Sequence, residues 1–151
     1  MNKKPIPAIG IDLGTTFSVV AYLDPRGKPE TIRNSEGDLT TPSVVFFDHD
    51  QPIVGKEAVK ISTMEPENVA RCAKREVGKD FFHQSIRDEQ LPPEVIQALV
   101  LKKLKDDAEI KLGKISKAVV TVPAFFNEPR RKSTQDAGQL AGLEVIDIIN
   151  E

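Results

Sequence analysis

The sequence predicts an α/β fold, a mixed β-sheet with helices packed on its faces. Three observations carry that prediction. Residues 9–32 hold short apolar runs separated by turn residues, as in an antiparallel meander. Residues 92–113 repeat an apolar residue every fourth position between a proline pair and a glycine, which reads as one long helix. Residues 118–149 read strand, helix, strand, and two parallel strands need such a crossover.

In the first element, Ile9, Ile11 and Leu13 alternate with small or acidic residues, and Val19, Val20, Tyr22 and Leu23 resume the apolar run. Gly14-Thr15-Thr16 joins the two. Glycine removes a side chain and permits unusual backbone angles, while the two hydroxyls add donors. Successive N–H groups in such a turn form a concave nest suited to phosphate oxygens. Asp12 would repel a phosphate unless a divalent cation lay between them, so it points to Mg²⁺ held through water. The pattern is neither a Walker A sequence nor Gly-x-Gly-x-x-Gly, and it feeds a strand rather than a helix. On these residues alone, a plain structural hairpin serves equally well.

Asp24-Pro25-Arg26-Gly27 is a turn leading to a short strand near Glu30 to Ile32. A polar loop, Asn34 to Asp38, precedes Thr41-Pro42-Ser43 and the strand Val44-Val45-Phe46-Phe47. Ile53-Val54-Gly55 introduces a short helix over about Lys56 to Thr63, stopped before Pro66. Val69, Ala73 and Val77 fall at helical spacing, so a helix is expected over Glu67 to Lys79, with Lys74-Arg75 beside its inner face or simply solvated. Asp80 to Leu91 reads as polar and irregular.

Pro92-Pro93-Glu94 is a favourable helix start. The stripe Ile96, Val100, Leu104, Ala108 and Leu112 is expected in the core, with Gly113 as the stop. Ala118 to Val122 is apolar and β-branched throughout, as in a strand covered on both faces. Asn127 can cap a helix running to Ala141 and ended by Gly142, and Glu144 to Ile149 is the last strand.

The bulk numbers bound the function. A chain of 151 residues can bury one core, which suggests one domain. A net charge of −2 gives no global pull toward nucleic acid or anionic membrane. The apolar runs are strand-length, so no membrane span is expected, and Met1 to Pro5 carries no apolar leader, so no secretory signal is expected. The single cysteine, Cys72, cannot form an internal disulfide and fits a reducing, cytoplasmic setting, as a packing residue more readily than a redox thiol. His49 and His83 are isolated from other soft ligands, which gives a zinc site no support.

Five ordered stretches carry a family resemblance. Ile9-Gly10-Ile11-Asp12-Leu13-Gly14-Thr15-Thr16 resembles the first phosphate motif of the DnaK-type heat-shock chaperones. Thr40-Thr41-Pro42-Ser43 resembles that family's loop into the upper subdomain of its ATPase lobe, and Ala73-Lys74-Arg75-Glu76-Val77-Gly78 its lysine motif. Val122-Pro123-Ala124-Phe125-Phe126-Asn127 resembles its signature strand end and helix start. Ile148-Ile149-Asn150-Glu151 resembles the opening of a further signature that continues into Pro-Thr-Ala-Ala.

The resemblance implies the actin-like (ribonuclease-H-like) ATPase fold, first lobe only, with about residues 40–115 as an upper subdomain. It implies ATP or ADP with Mg²⁺ as cofactors. Asp12 would sit by the metal and its waters, and Gly14, Thr15 and Thr16 would contact the β- and γ-phosphates. Lys74 would reach the γ-phosphate and Glu151 would help place the attacking water. Pro123 and Arg131 would couple nucleotide state to substrate affinity, although Arg130-Arg131-Lys132 also reads as a basic surface run. Phe17 departs from the polar residue or tyrosine of many relatives. The stretch between the lysine motif and Pro92 is short, which by the resemblance implies an upper subdomain that is reduced or folds differently.

By the same resemblance, a second phosphate loop, an adenosine pocket, a second lobe and a peptide-binding domain should follow Glu151. The chain is therefore expected to be a fragment, either cut from a longer protein or a truncated gene product. The parent would be an ATP-dependent chaperone controlling unfolded polypeptides, served by a J-domain co-chaperone and a nucleotide exchange factor. The fragment alone is expected to have negligible ATPase activity, and to self-associate through apolar surface around Val145 to Ile149. The alternatives are an actin-like sugar kinase or filament protein, or a non-catalytic partner-binding module.

Overall fold

The computed structural model describes residues 8–151. Met1 to Pro5, where no secretory signal is expected, lies outside the described residues.

Two sheets and three helices make up the described chain. The main sheet begins with a meander of β1 (Ala8–Leu13), β2 (Phe17–Leu23) and β3 (Pro29–Ile32). It is completed by β8 (Lys117–Val122) and β9 (Glu144–Asn150), in the order β3-β2-β1-β8-β9. β1 is antiparallel to β2 and parallel to β8, and β8 is parallel to β9, so the mixed sheet is as expected. A two-residue strand, β4 (Thr41–Pro42), pairs with the start of β2. The smaller sheet is β5 (Val44–Phe47) flanked by β6 (Pro52–Val54) and β7 (Val69–Arg71), all antiparallel.

The pleat divides the main sheet into two unlike faces. Ile9, Ile11 and Leu13 alternate inward with Val20, Ala118, Val120 and Val122 against the helices. Asp12 and Thr121 are paired across β1 and β8 on the other face. That corrects the expectation that Ala118 to Val122 is covered on both faces. Ala118 and Val120 are fully buried, but Val119 and Thr121 are only half-buried.

Helix α2 (Pro93–Leu112), after the short α1 (Lys56–Ile61), carries the expected stripe. Ile96, Val100, Leu104 and Ala108 are buried, while Leu112 is half-buried. Ala98 and Leu101 are buried too, because α2 meets β2 and α3 (Glu128–Leu140) and also the small sheet's β5 and β6. In α3 the Asn127 side chain accepts the Arg130 N–H at 3.1 Å, which supplies the expected cap. A methyl on Gly138 would overlap the Val145 side chain, so this glycine lets α3 lie close on β9.

The helix expected over Glu67 to Lys79 is not formed. The segment is a 3₁₀ turn (Pro66–Asn68), then β7, then a second 3₁₀ turn (Ala73–Glu76). Pairing of Val69, Ala70 and Arg71 with β5 overrides the helical spacing, and Cys72, at φ 58°, breaks any continuation. Val69, Ala73 and Val77 are all buried, but in three separate apolar clusters. Asp80 to Leu91 is irregular as read, yet it contributes Phe82 and Ile86 to the interior. No helix among the described residues is long and apolar enough to cross a membrane.

A surface ion cluster ties the loop after β3 to α2. Lys103 Nζ lies 3.0 Å from the Glu36 carboxylate and 2.8 Å from Asp107. Burial pushes the Glu36 carboxyl up, but hydrogen bonds from Lys103 and Ser35 outweigh it and leave it below its usual 4.5. A lowered folded value means stability that is present above the ordinary carboxylate range and is lost as pH falls through the folded value. Glu36→Gln should therefore lower stability at neutral pH by about 0.5–1 kcal/mol, the range for a screened pair. Its stability should also fall less than that of the parent chain between pH 6 and 3, as thermal melts across that range would show.

Candidate functional site

The expected site residues gather where the parallel strands end. β1, β8 and β9 run in one direction and finish at Leu13, Val122 and Asn150. In open α/β sheets this carboxyl edge is where ligands bind. Asp12 is the penultimate residue of β1, Gly14 to Thr16 form the turn beyond it, and Pro123 opens the turn after β8. Glu151 follows β9, its N–H donating to the Val122 carbonyl at 2.8 Å.

Each part of that edge is fixed by the chain itself. Asp12 is exposed, and its Oδ1 accepts a hydrogen bond from the Thr121 hydroxyl at 2.9 Å. Oδ2 has no hydrogen-bond partner among the described residues. The turn at Gly14 is so tight that an added Cβ would collide with the Phe17 carbonyl oxygen. Among the described residues, no protein acceptor takes the N–H of Gly14, Thr15 or Thr16. These N–H groups lie in the turn that directly follows the Asp12 carboxylate.

Ser43 braces the turn from behind. Its Oγ donates to the Gly14 carbonyl at 2.9 Å, and its N–H donates to the Thr16 carbonyl at 2.9 Å. Its hydroxyl also lies 2.9 Å from that of Ser18, which is fully buried. The motif that joins the two sheets thus fixes the shape of the donor turn.

Lys74 reaches the same edge from the second 3₁₀ turn. The residue is only 8% exposed, and Nζ forms an ion pair with the Glu151 carboxylate. The reading of Lys74-Arg75 as a solvated pair therefore fails for Lys74 and holds for the exposed Arg75. Arg131 is also not a loose surface cation. Its Nε donates to the Phe126 carbonyl at 3.1 Å and Nη2 to Asn150 Oδ1 at 2.8 Å, which ties α3 to the end of β9. The Arg130 guanidinium lies 5.5 Å from the centre of the Phe126 ring, so of the basic run only Lys132 is fully at the surface.

Sequence reasoning passed over Thr121, Ser18, Ser43 and Asn150 as site residues. A signal existed for Thr121, the one hydroxyl in an otherwise apolar run, two positions before the Pro123 turn. Nothing local marks Ser18 or Asn150, whose partners lie elsewhere in the chain.

The Hsp70 protein family model matches residues 8–151. The chain belongs to the Hsp70 family. Its relatives include proteins named chaperone protein DnaK from Thermotoga petrophila, Thermotoga maritima and Thermotoga neapolitana, each 47% identical over 153 residues. The alignment with each covers 100% of this chain and 26% of the relative. The mixed sheet with flanking helices agrees with the first lobe of the Hsp70 ATPase fold, as the five motifs imply.

One test of fit concerns Mg²⁺. No group of three His, Cys, Asp or Glu side chains among the described residues could enclose a metal. Asp12 offers a single carboxylate with a free oxygen at a row of phosphate-type donors. Mg²⁺ keeps most of its waters and is commonly bound through one or two carboxylates plus substrate phosphates, so the residues fit it as part of a nucleotide complex.

Proposed function

We propose that the strand-end edge binds the phosphates of Mg·ATP, as the first half of the nucleotide site of an ATP-dependent Hsp70 chaperone. The observation that carries this is the meeting of the donor turn Gly14–Thr16, the Asp12 carboxylate and the Lys74–Glu151 pair on one carboxyl edge. Thr15 and Thr16 would give the β- and γ-phosphate oxygens N–H and hydroxyl donors. Asp12, held in orientation by Thr121, would face the magnesium's water shell. Mg²⁺ supplies charge neutralisation between the carboxylate and the phosphates. Lys74 would contribute positive charge where negative charge grows in phosphoryl transfer, and Glu151 would orient water.

The chain spans about a quarter of the length of these relatives. Hydrolysis, control of unfolded polypeptides and the use of J-domain and exchange-factor partners are accordingly proposed for the whole protein, in the cytoplasm. Residues of about 40–115 are its upper subdomain, a reading that the separate apolar cluster of Val44, Phe46, Ala58 and Val69 supports for the part around the small sheet. Pro123 and Arg131, at the start and on the first turns of the β8–β9 crossover, would relay nucleotide state, a reading supported by the Arg131 bond to Asn150 at the end of β9. Exposed Ile146 and Ile149 on the edge strand β9 support self-association of the isolated chain.

Calorimetric titration of Mg·ATP into the chain tests the site. Saturable heat that disappears with Asp12→Ala, and with EDTA, is the expected result. Binding equally strong in the variant would place the nucleotide elsewhere.

A further inference from the structure

The lysine-bearing turn is an awkward piece of backbone. It is entered through Cys72 in the left-handed region, at φ 58°, and left through Gly78 at φ 93°. Between them lies a four-residue 3₁₀ turn, too short to hold itself. Ala73 and Val77 anchor it by burial on either side of Lys74 and Arg75. Glu76 is the other inward anchor, and its polarity is out of keeping with its place: a carboxylate residue only 8% exposed.

Its partner is His83, seven residues on, in the irregular stretch before α2. Glu76 Oε1 accepts the His83 main-chain N–H at 2.7 Å, and Oε2 lies 2.6 Å from His83 Nδ1. With the carboxylate ionised, Nδ1 carries the proton and donates it. The neighbouring Phe82 is buried, with its ring centre 4.4 Å from that of the His83 imidazole, so the His83 backbone is itself fixed to the core. A carboxylate that takes both a main-chain and a ring donor is a two-point clamp.

We propose that Glu76 is a positioning residue for Lys74: by clamping the 3₁₀ turn to His83, it keeps the Lys74 ammonium at the strand-end edge. The role rests on the nucleotide reading given above. Glu76 touches no nucleotide and acts only through where Lys74 stands. It also gives the irregular stretch 80–91 a task, since His83 supplies from a loop the support for the lysine turn.

The test reads Lys74 directly, by rates of amine acetylation followed residue by residue in the folded chain, with and without Mg·ATP. In the parent chain, Lys74 should label slowly and Mg·ATP should slow it further. Glu76→Ala should speed Lys74 labelling about tenfold, the effect of losing a charge-assisted bond, while exposed Lys102 keeps its rate. Glu76→Gln, which keeps an acceptor for the His83 N–H, should restore most of the protection. Ile115→Ala, a core variant just before the start of β8 and so at the end opposite the site edge, serves as the control for global loosening. Unchanged Lys74 labelling in Glu76→Ala, or the same rise in Ile115→Ala, would overturn the positioning role while Mg·ATP protection in the parent left the nucleotide site standing. Absence of Mg·ATP protection in the parent would instead overturn the nucleotide reading and the positioning role with it.

Discussion

Gly14→Ala is expected to abolish Mg·ATP binding and to cost about 3 kcal/mol of stability, the upper range for overpacking. The cause is steric rather than electrostatic. An added Cβ would meet the Phe17 carbonyl oxygen of the same turn, on a residue held by pairing with Pro42 of β4 and next to the Leu13–Ser18 pair of β1 and β2. A flexible side chain could swing aside, but a main-chain carbonyl cannot without breaking the hairpin. Relief by opening the turn would also break the Ser43 bonds to the Gly14 and Thr16 carbonyls. The donor row would then be lost together with the fold around it. Calorimetry and urea unfolding of the variant should show both losses. A variant that kept parent-like affinity would show that the turn's shape is irrelevant to the ligand.

The second large effect lies in an asymmetry between Lys74 and Glu151. Removing one member of a nearly buried ion pair strands the other, and the cost falls on whichever is less exposed. Lys74 has 8% of its side chain exposed and Glu151 has 41%. Glu151→Ala should therefore destabilise the chain by about 2–3 kcal/mol, reduced from the fully buried range because water can reach the vacated side. Lys74→Met leaves only a carboxylate that can hydrate, and should cost about 1 kcal/mol or less. The double variant should be closer to Lys74→Met than to the sum of the two. Additive losses in denaturant melts would mean that the two groups do not interact in solution.

What the sequence made legible follows the length and regularity of each signal. The four-residue repeat from Ile96 to Ala108 and the alternation of Ile9, Ile11 and Leu13 are long enough to fix element and buried face together. β6, three residues long, offers no period to detect, and its Gly55 boundary read only as the start of α1. The segment after Pro66 shows a different failure. Burial of Val69, Ala73 and Val77 was read correctly, but a spacing of four fits a helix and also a strand followed by a tight turn. Only the pairing of β7 with β5, between residues about twenty-five apart in sequence, decides it. At the site, the residues of the turn were legible because glycine, aspartate and threonine have local reasons to be there. Ser18 and Ser43 were not, since each acts through a partner that only the fold brings near.

The direct test of the central proposal is the pattern of ¹⁵N amide shifts when Mg·ATP is added to the chain. The site described here requires the largest changes at Gly14, Thr15 and Thr16, with smaller ones near Lys74, Thr121 and Glu151, and no changes along α2 or the small sheet. Shifts that cluster away from the ends of β1, β8 and β9, or no saturable shifts at all, would contradict it.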